Sequence, residues 1–177
     1  MKVPFLRSSL ALAALMSVSV AVHSGEPPTA AREQRVLDRH LGSWRCNHKL
    51  ARAVWTPQEK TATAEYTFTH VLGGQFVQGI GRHSDKTEEM LLLTYDAQKK
   101  CYRRWAFLST GQTSEFTGIW DADTATLTWT TVNKLPFTIT FKSRFTKDDT
   151  MDYDFVVNDS TGKALFQMEG KAVRFKK

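Results

Sequence analysis

Cysteine is almost missing from this chain: there are two in 177 residues, Cys46 and Cys101. That excludes a disulfide-rich scaffold and leaves one candidate disulfide, with two buried free thiols an equal alternative. Long hydrophobic runs are missing too. Leu10–Val22 is the longest, and it is shorter than the roughly 20 apolar residues a membrane-spanning helix needs. Charge of one sign is nowhere dense. Lys99-Lys100, Arg103-Arg104 and Lys176-Lys177 are the only basic pairs, so the basic stripe that nucleic-acid binding requires is absent. Also lacking are a Gly-x-Ser-x-Gly elbow, a phosphate-cradling glycine loop and a zinc-protease helix. The paired acids Glu88-Glu89 and Asp148-Asp149 both fall at turns and read as solvated turn residues. The reading leans away from an enzyme.

What is present begins with an export signal. Lys2 and Arg7 precede the apolar run, and Val22-His23-Ser24 offers a cleavage position. Residues 1–24 are therefore expected to be a cleaved signal peptide, which places the mature protein in the periplasm or outside the cell. Taking away Lys2 and Arg7 leaves 22 basic against 18 acidic residues, a net charge of +4. Residues 25–30, with Pro27-Pro28, form a flexible leader, and 31–177 are expected to form one domain. A core for such a chain is feasible without extra staples. The mature chain is expected to be a monomer or homodimer with no membrane span, no nucleic-acid partner and no cofactor.

From Ala30 to Leu41 the spacing of Val36, Leu37, His40 and Leu41 predicts a helix, with Gly42 as its cap. After Gly42 the period changes from 3.6 to 2 and stays there. Trp44, Cys46, His48 and Leu50 alternate with Arg45, Asn47 and Lys49. Ala62, Ala64, Tyr66, Phe68 and His70 alternate with threonines and Glu65. Further strands are predicted over 76–82, 89–95, 102–108, 116–120, 127–132, 137–146, 151–157 and 165–175, separated by hairpin-length turns. About ten strands in a meander predict an all-β, antiparallel up-and-down β-barrel, because closure removes exposed edges. A two-sheet sandwich is the alternative.

Gly42-Ser43-Trp44, at the junction of the helix and the first strand, resembles the start of calycin barrels such as lipocalins and fatty-acid-binding proteins. The resemblance implies that Trp44 closes the barrel floor and that Arg174, on the last strand, packs across its ring. The chain is also similar to a bacterial family of exported domains of unknown function. That likeness is carried by Leu41-Gly42-x-Trp44, Leu72-Gly73-Gly74-x-Phe76-Val77, Thr94-Tyr95-Asp96 and Gly118-x-Trp120-Asp121. It implies the fold and no agreed activity. Nitrobindin-type barrels, which bind haem, begin with a similar Gly-x-Trp, but their axial histidine lies near the C-terminus. The last histidine here is His83, so the same haem site is not expected.

Strand parity then selects candidate site residues. His48 and His70 fall on the inner side with Tyr66 between them, a set able to hold a polar headgroup. With Cys46 they would be the ligands of a metal-dependent enzyme, the least favoured reading. Arg82 shares parity with Phe76 and Ile80, and Arg103 with Trp105 and Phe107. Placed inward, these arginines would meet an anionic ligand; placed at a rim, they would reach water. The expected function is an exported barrel that binds a small, partly hydrophobic or anionic molecule. The alternative is an envelope interaction or stress protein that acts through its surface and has no cavity.

Overall fold

The computed structural model describes residues 29–132 and 135–176, so the expected signal peptide and most of the leader lie outside the described residues. A short helix α1 (Thr29–Gln34) runs into a 3-10 helix (Arg35–His40). Ten strands follow: β1 (Gly42–Leu50), β2 (Lys60–Val71), β3 (Phe76–His83), β4 (Glu88–Asp96), β5 (Cys101–Leu108), β6 (Thr113–Asp121), β7 (Thr126–Thr131), β8 (Phe137–Lys147), β9 (Thr150–Asp159) and β10 (Ala164–Phe175). Each pairs antiparallel with its neighbours in sequence, and β1 closes on β10, so the sheet is a complete barrel. The up-and-down barrel is as expected, and the sandwich is excluded. No helix among the described residues is long and apolar enough to cross a membrane.

Why the sheet closes is visible in β1. Trp44, Cys46, His48 and Leu50 are buried while Arg45, Asn47 and Lys49 are exposed, so one register satisfies both faces. That register places Trp44 opposite Tyr66 on β2 and opposite Arg174 on β10.

The two ends of the barrel differ. At one end α1 and the 3-10 helix form a plug. Trp44 Nε1 donates to the His40 carbonyl at 2.6 Å, and the Tyr102 hydroxyl donates to Glu33 Oε2 at 2.5 Å. The Arg174 guanidinium lies 4.6 Å from the Trp44 ring centre. It donates to the carbonyls of Leu41, Arg39 and Asp148. Gly42 has φ +101°, and a Cβ there would meet Arg174 Nη1 at 3.3 Å. This position therefore favours glycine on two counts.

Arg174 thus ties the first strand, the last strand and the plug together. Its replacement by alanine is expected to cost about 2–4 kcal/mol of unfolding free energy, from one cation–π contact and several charge-assisted hydrogen bonds. Urea denaturation measures it. Lysine at this position is expected to restore less than half, because an ammonium cannot span several carbonyls as a guanidinium fork does.

Candidate functional site

Above the plug the barrel is hollow. A cavity of about 620 Å³ runs from His40, Trp44 and Trp129 near the floor to Lys60, Asp85 and Leu108 at the opposite end. Its size lies within the range of small-molecule sites. The walls are mostly apolar, with Leu50, Leu91, Phe141, Phe155 and Met168 among them.

Polar groups gather on part of this wall, and small residues make room for them. Gly81 faces Tyr66 across β2 and β3, and a Cβ on Gly81 would lie 2.3 Å from the Tyr66 ring. Gly170 stands in the same relation to Tyr153, where a Cβ would fall 2.3 Å from the hydroxyl. The two rings can therefore lie flat over backbone and carry their hydroxyls to the histidines. The Tyr66 hydroxyl donates to Glu89 Oε2 at 2.5 Å and sits 3.1 Å from His83 Nε2. The His83 and His48 rings are stacked with centres 6.3 Å apart, and His48 Nδ1 meets the Tyr153 hydroxyl at 2.6 Å. Arg104 Nη2 lies 3.8 Å from Glu89 Oε1. The Arg104 guanidinium is otherwise flanked by the rings of Phe141 at 4.8 Å and Phe116 at 5.2 Å.

Burial sets the protonation of the cluster. It pulls His48 down to about 4, with the neighbouring His83 adding to the effect. It pulls His40 down to about 4 as well, with Arg104 and Arg174 contributing. Both imidazoles are therefore neutral at pH 7. Burial works against the Glu89 carboxylate, but His83, Arg104 and Tyr66 outweigh it and hold its pKa below the usual value. Burial lowers the pKa of Arg104, with Glu89 acting the other way, yet an arginine keeps its proton in a protein. Tyr66 is pushed up by burial first and by Glu89 second, and Tyr153 is pushed up by burial first. Both phenols stay protonated. The Cys46 thiol, on the same inner face, is raised to about 12 by burial.

The structure brings His48 and Tyr66 into the cavity. It does not bring His70 there. His70 has the parity of Phe68, but β2 has there run past the end of β1, whose pairing stops at Gly42 and Phe68, and His70 Nε2 pairs with Asp38 Oδ1 of the plug at 3.1 Å. Arg82 is on the outside, 78% exposed and bonded to Glu88. Arg103 is also on the outer face, held by Asp96 and Glu115 with its guanidinium 5.0 Å from the Trp105 ring. The inward placement considered for these two arginines is thus corrected, and Arg104 is the arginine that lines the cavity.

Glu89 likewise corrects the reading of Glu88-Glu89 as solvated turn acids: Glu88 is exposed, whereas Glu89 lines the cavity. Cys46 and Cys101 are free, with β2, β3 and β4 between their strands, so the candidate disulfide is not formed. Cys46, His48 and His70 do not converge. Among the described residues no group of three or more His, Cys, Asp or Glu side chains is placed to hold a metal ion.

Sequence reasoning missed Arg104, Glu89, His83 and Ser143. The signal for Arg104 was its parity with Tyr102 and Ala106, both buried. It was masked by the bulk of Trp105 and Phe107 on the opposite face.

The family described as "Protein of unknown function (DUF1579)" matches residues 29–174. No curated protein matches the chain in sequence. Solved structures that share the barrel include three of 16% identity or less. The S-type phycobiliprotein lyase CPES from Guillardia theta is 16% identical with a TM-score of 0.53, over 85% of this chain and 99% of that one. Rv2717c from M. tuberculosis is 14% identical with a TM-score of 0.61, over 80% of this chain and 96% of that one. A protein of unknown function from the DUF3598 family of Nostoc punctiforme is 8% identical with a TM-score of 0.54, over 78% of this chain and 49% of that one. At such identities the likeness is one of fold.

Proposed function

We propose that this chain, which belongs to the DUF1579 family of proteins of unknown function, binds a small, partly hydrophobic molecule inside its barrel. The observation that carries this reading is the hollow itself: about 620 Å³ of largely apolar space beside a buried polar cluster. A barrel built only for stability would be expected to fill its interior, since close packing is the norm for protein cores. The fold shared with a phycobiliprotein lyase is compatible with a hollow barrel and supplies no ligand. A surface-acting envelope protein needs no such space, so the cavity favours the binding reading over that alternative.

Export is part of the same proposal. It rests on the charged, apolar and small-residue layout of residues 1–24. The mature protein would then work in the periplasm or outside the cell, meeting ligands that cross or leave the envelope.

Titration with Nile red, an uncharged solvatochromic dye, tests the binding site. Saturable one-to-one binding with a blue-shifted emission is expected; a dye signal that never saturates would count against an interior site. The intact mass of the protein recovered from its own cells tests export, and a chain that begins after Ser24 is the expected product.

A further inference from the structure

We infer that the cavity is built for an uncharged, mainly apolar molecule bearing hydrogen-bond acceptors, such as an ester, ketone or amide, and discriminates against free carboxylates and other anions. This rests on the proposed binding function and names its ligand class.

The first ground is charge. Four charged side chains line the cavity, Arg104 and Lys60 against Glu89 and Asp85, and their charges cancel. Deep inside, Arg104 faces Glu89 at 3.8 Å, so this buried cation already has its counter-ion. An anionic ligand would bring an unmatched charge into a largely apolar interior, which is costly. The arginines expected to receive an anion from parity, Arg82 and Arg103, are engaged outside the barrel by Glu88 and by Asp96 and Glu115 respectively.

The second ground is a surplus of donors. Arg104 Nε, Trp129 Nε1, Ser143 Oγ and His48 Nε2 are buried without a hydrogen-bond partner, and all four residues line the cavity. The indole and guanidinium groups can only donate. On His48 the ring nitrogen Nδ1 is engaged by the Tyr153 hydroxyl at 2.6 Å, shorter than the 3.3 Å from that hydroxyl to the Asn47 carbonyl. The tyrosine has one proton for these two contacts, so His48 Nε2 donates or accepts according to the tautomer, and the surplus of donors rests on Arg104, Trp129 and Ser143. Buried donors without partners are rare because each is costly. A ligand that accepts from them supplies what the protein withholds.

Competition against Nile red at pH 7.5 tests the inference with three probes of equal chain length: methyl dodecanoate, dodecanoate and dodecane. The ester is expected to displace the dye at a concentration about tenfold lower than either of the others, the worth of roughly one well-made hydrogen bond. Ser143→Ala and Trp129→Phe, each removing one donor, are expected to narrow the gap between ester and alkane severalfold. Dodecanoate matching or beating the ester would overturn the inference while leaving the binding function intact. An ester no better than dodecane would overturn it too. If the dye itself fails to bind, both readings fall.

Discussion

Ala62→Trp is expected to abolish dye binding while leaving the barrel folded. Ala62 lies on β2 opposite His48 and lines the outer half of the cavity, so an indole there projects into empty space. It would occupy the volume any ligand needs, and the affinity for Nile red should fall by about 100-fold or more. Stability should change by less than about 1 kcal/mol, because the new ring fills a void and displaces no packed side chain. Ile119→Trp is the matched control. Ile119 stands on the outer face of β6 and is 75% exposed, so the same mass added outside should leave affinity unchanged. Isothermal titration of both variants decides it. Undiminished binding by Ala62→Trp would move the dye to the surface and remove the main support for the proposed function.

The second large effect is acid lability. His40 and His48 are held at about 4 against an ordinary value of 6.5. Between those values the unfolded chain binds protons that the folded chain refuses, so stability is full above pH 6.5 and declines as pH falls toward 4. Each histidine is expected to lose about 2 kcal/mol of stabilisation by pH 5. Glu89 acts in the same direction at lower pH. Its folded pKa is below its ordinary value of 4.5, so the stability it contributes is present above that value and is lost as pH falls through the folded one. Urea midpoints should therefore stay nearly level from pH 8 to pH 7 and drop from there to pH 5. His48→Gln should remove about half of that dependence, since the uncharged amide has no proton to gain. A midpoint that stays flat from pH 8 to pH 5 would show that neither imidazole is buried as described.

Strand parity made most of this barrel legible, and the exceptions have physical causes. All ten strands lie within a few residues of where the two-residue period puts them, because turn residues and alternation point to the same boundaries. Trp44 and Arg174 meet as the calycin resemblance implies. Parity fails on β5, where both faces carry large side chains. Tyr102, Arg104 and Ala106 are buried, yet Trp105 and Phe107 on the other face are apolar too. Hydrophobicity alone could not say which face was inner, and it favoured the wrong arginine. His70 fails for a different reason: its parity is inward, but it lies at the plug end beyond the last β1 pairing, where Asp38 holds it. Glu89 was hidden by its place next to a turn, where an acid normally meets water. None of these errors touches the fold, since each concerns which way one side chain faces.

The most direct measurement is native mass spectrometry of the protein taken from its own cells without denaturation. A single small-molecule adduct per chain, uncharged once released and lost from Ala62→Trp, is what a hollow barrel lined with spare donors predicts. Chains carrying nothing, or an adduct that Ala62→Trp retains in full, would contradict it.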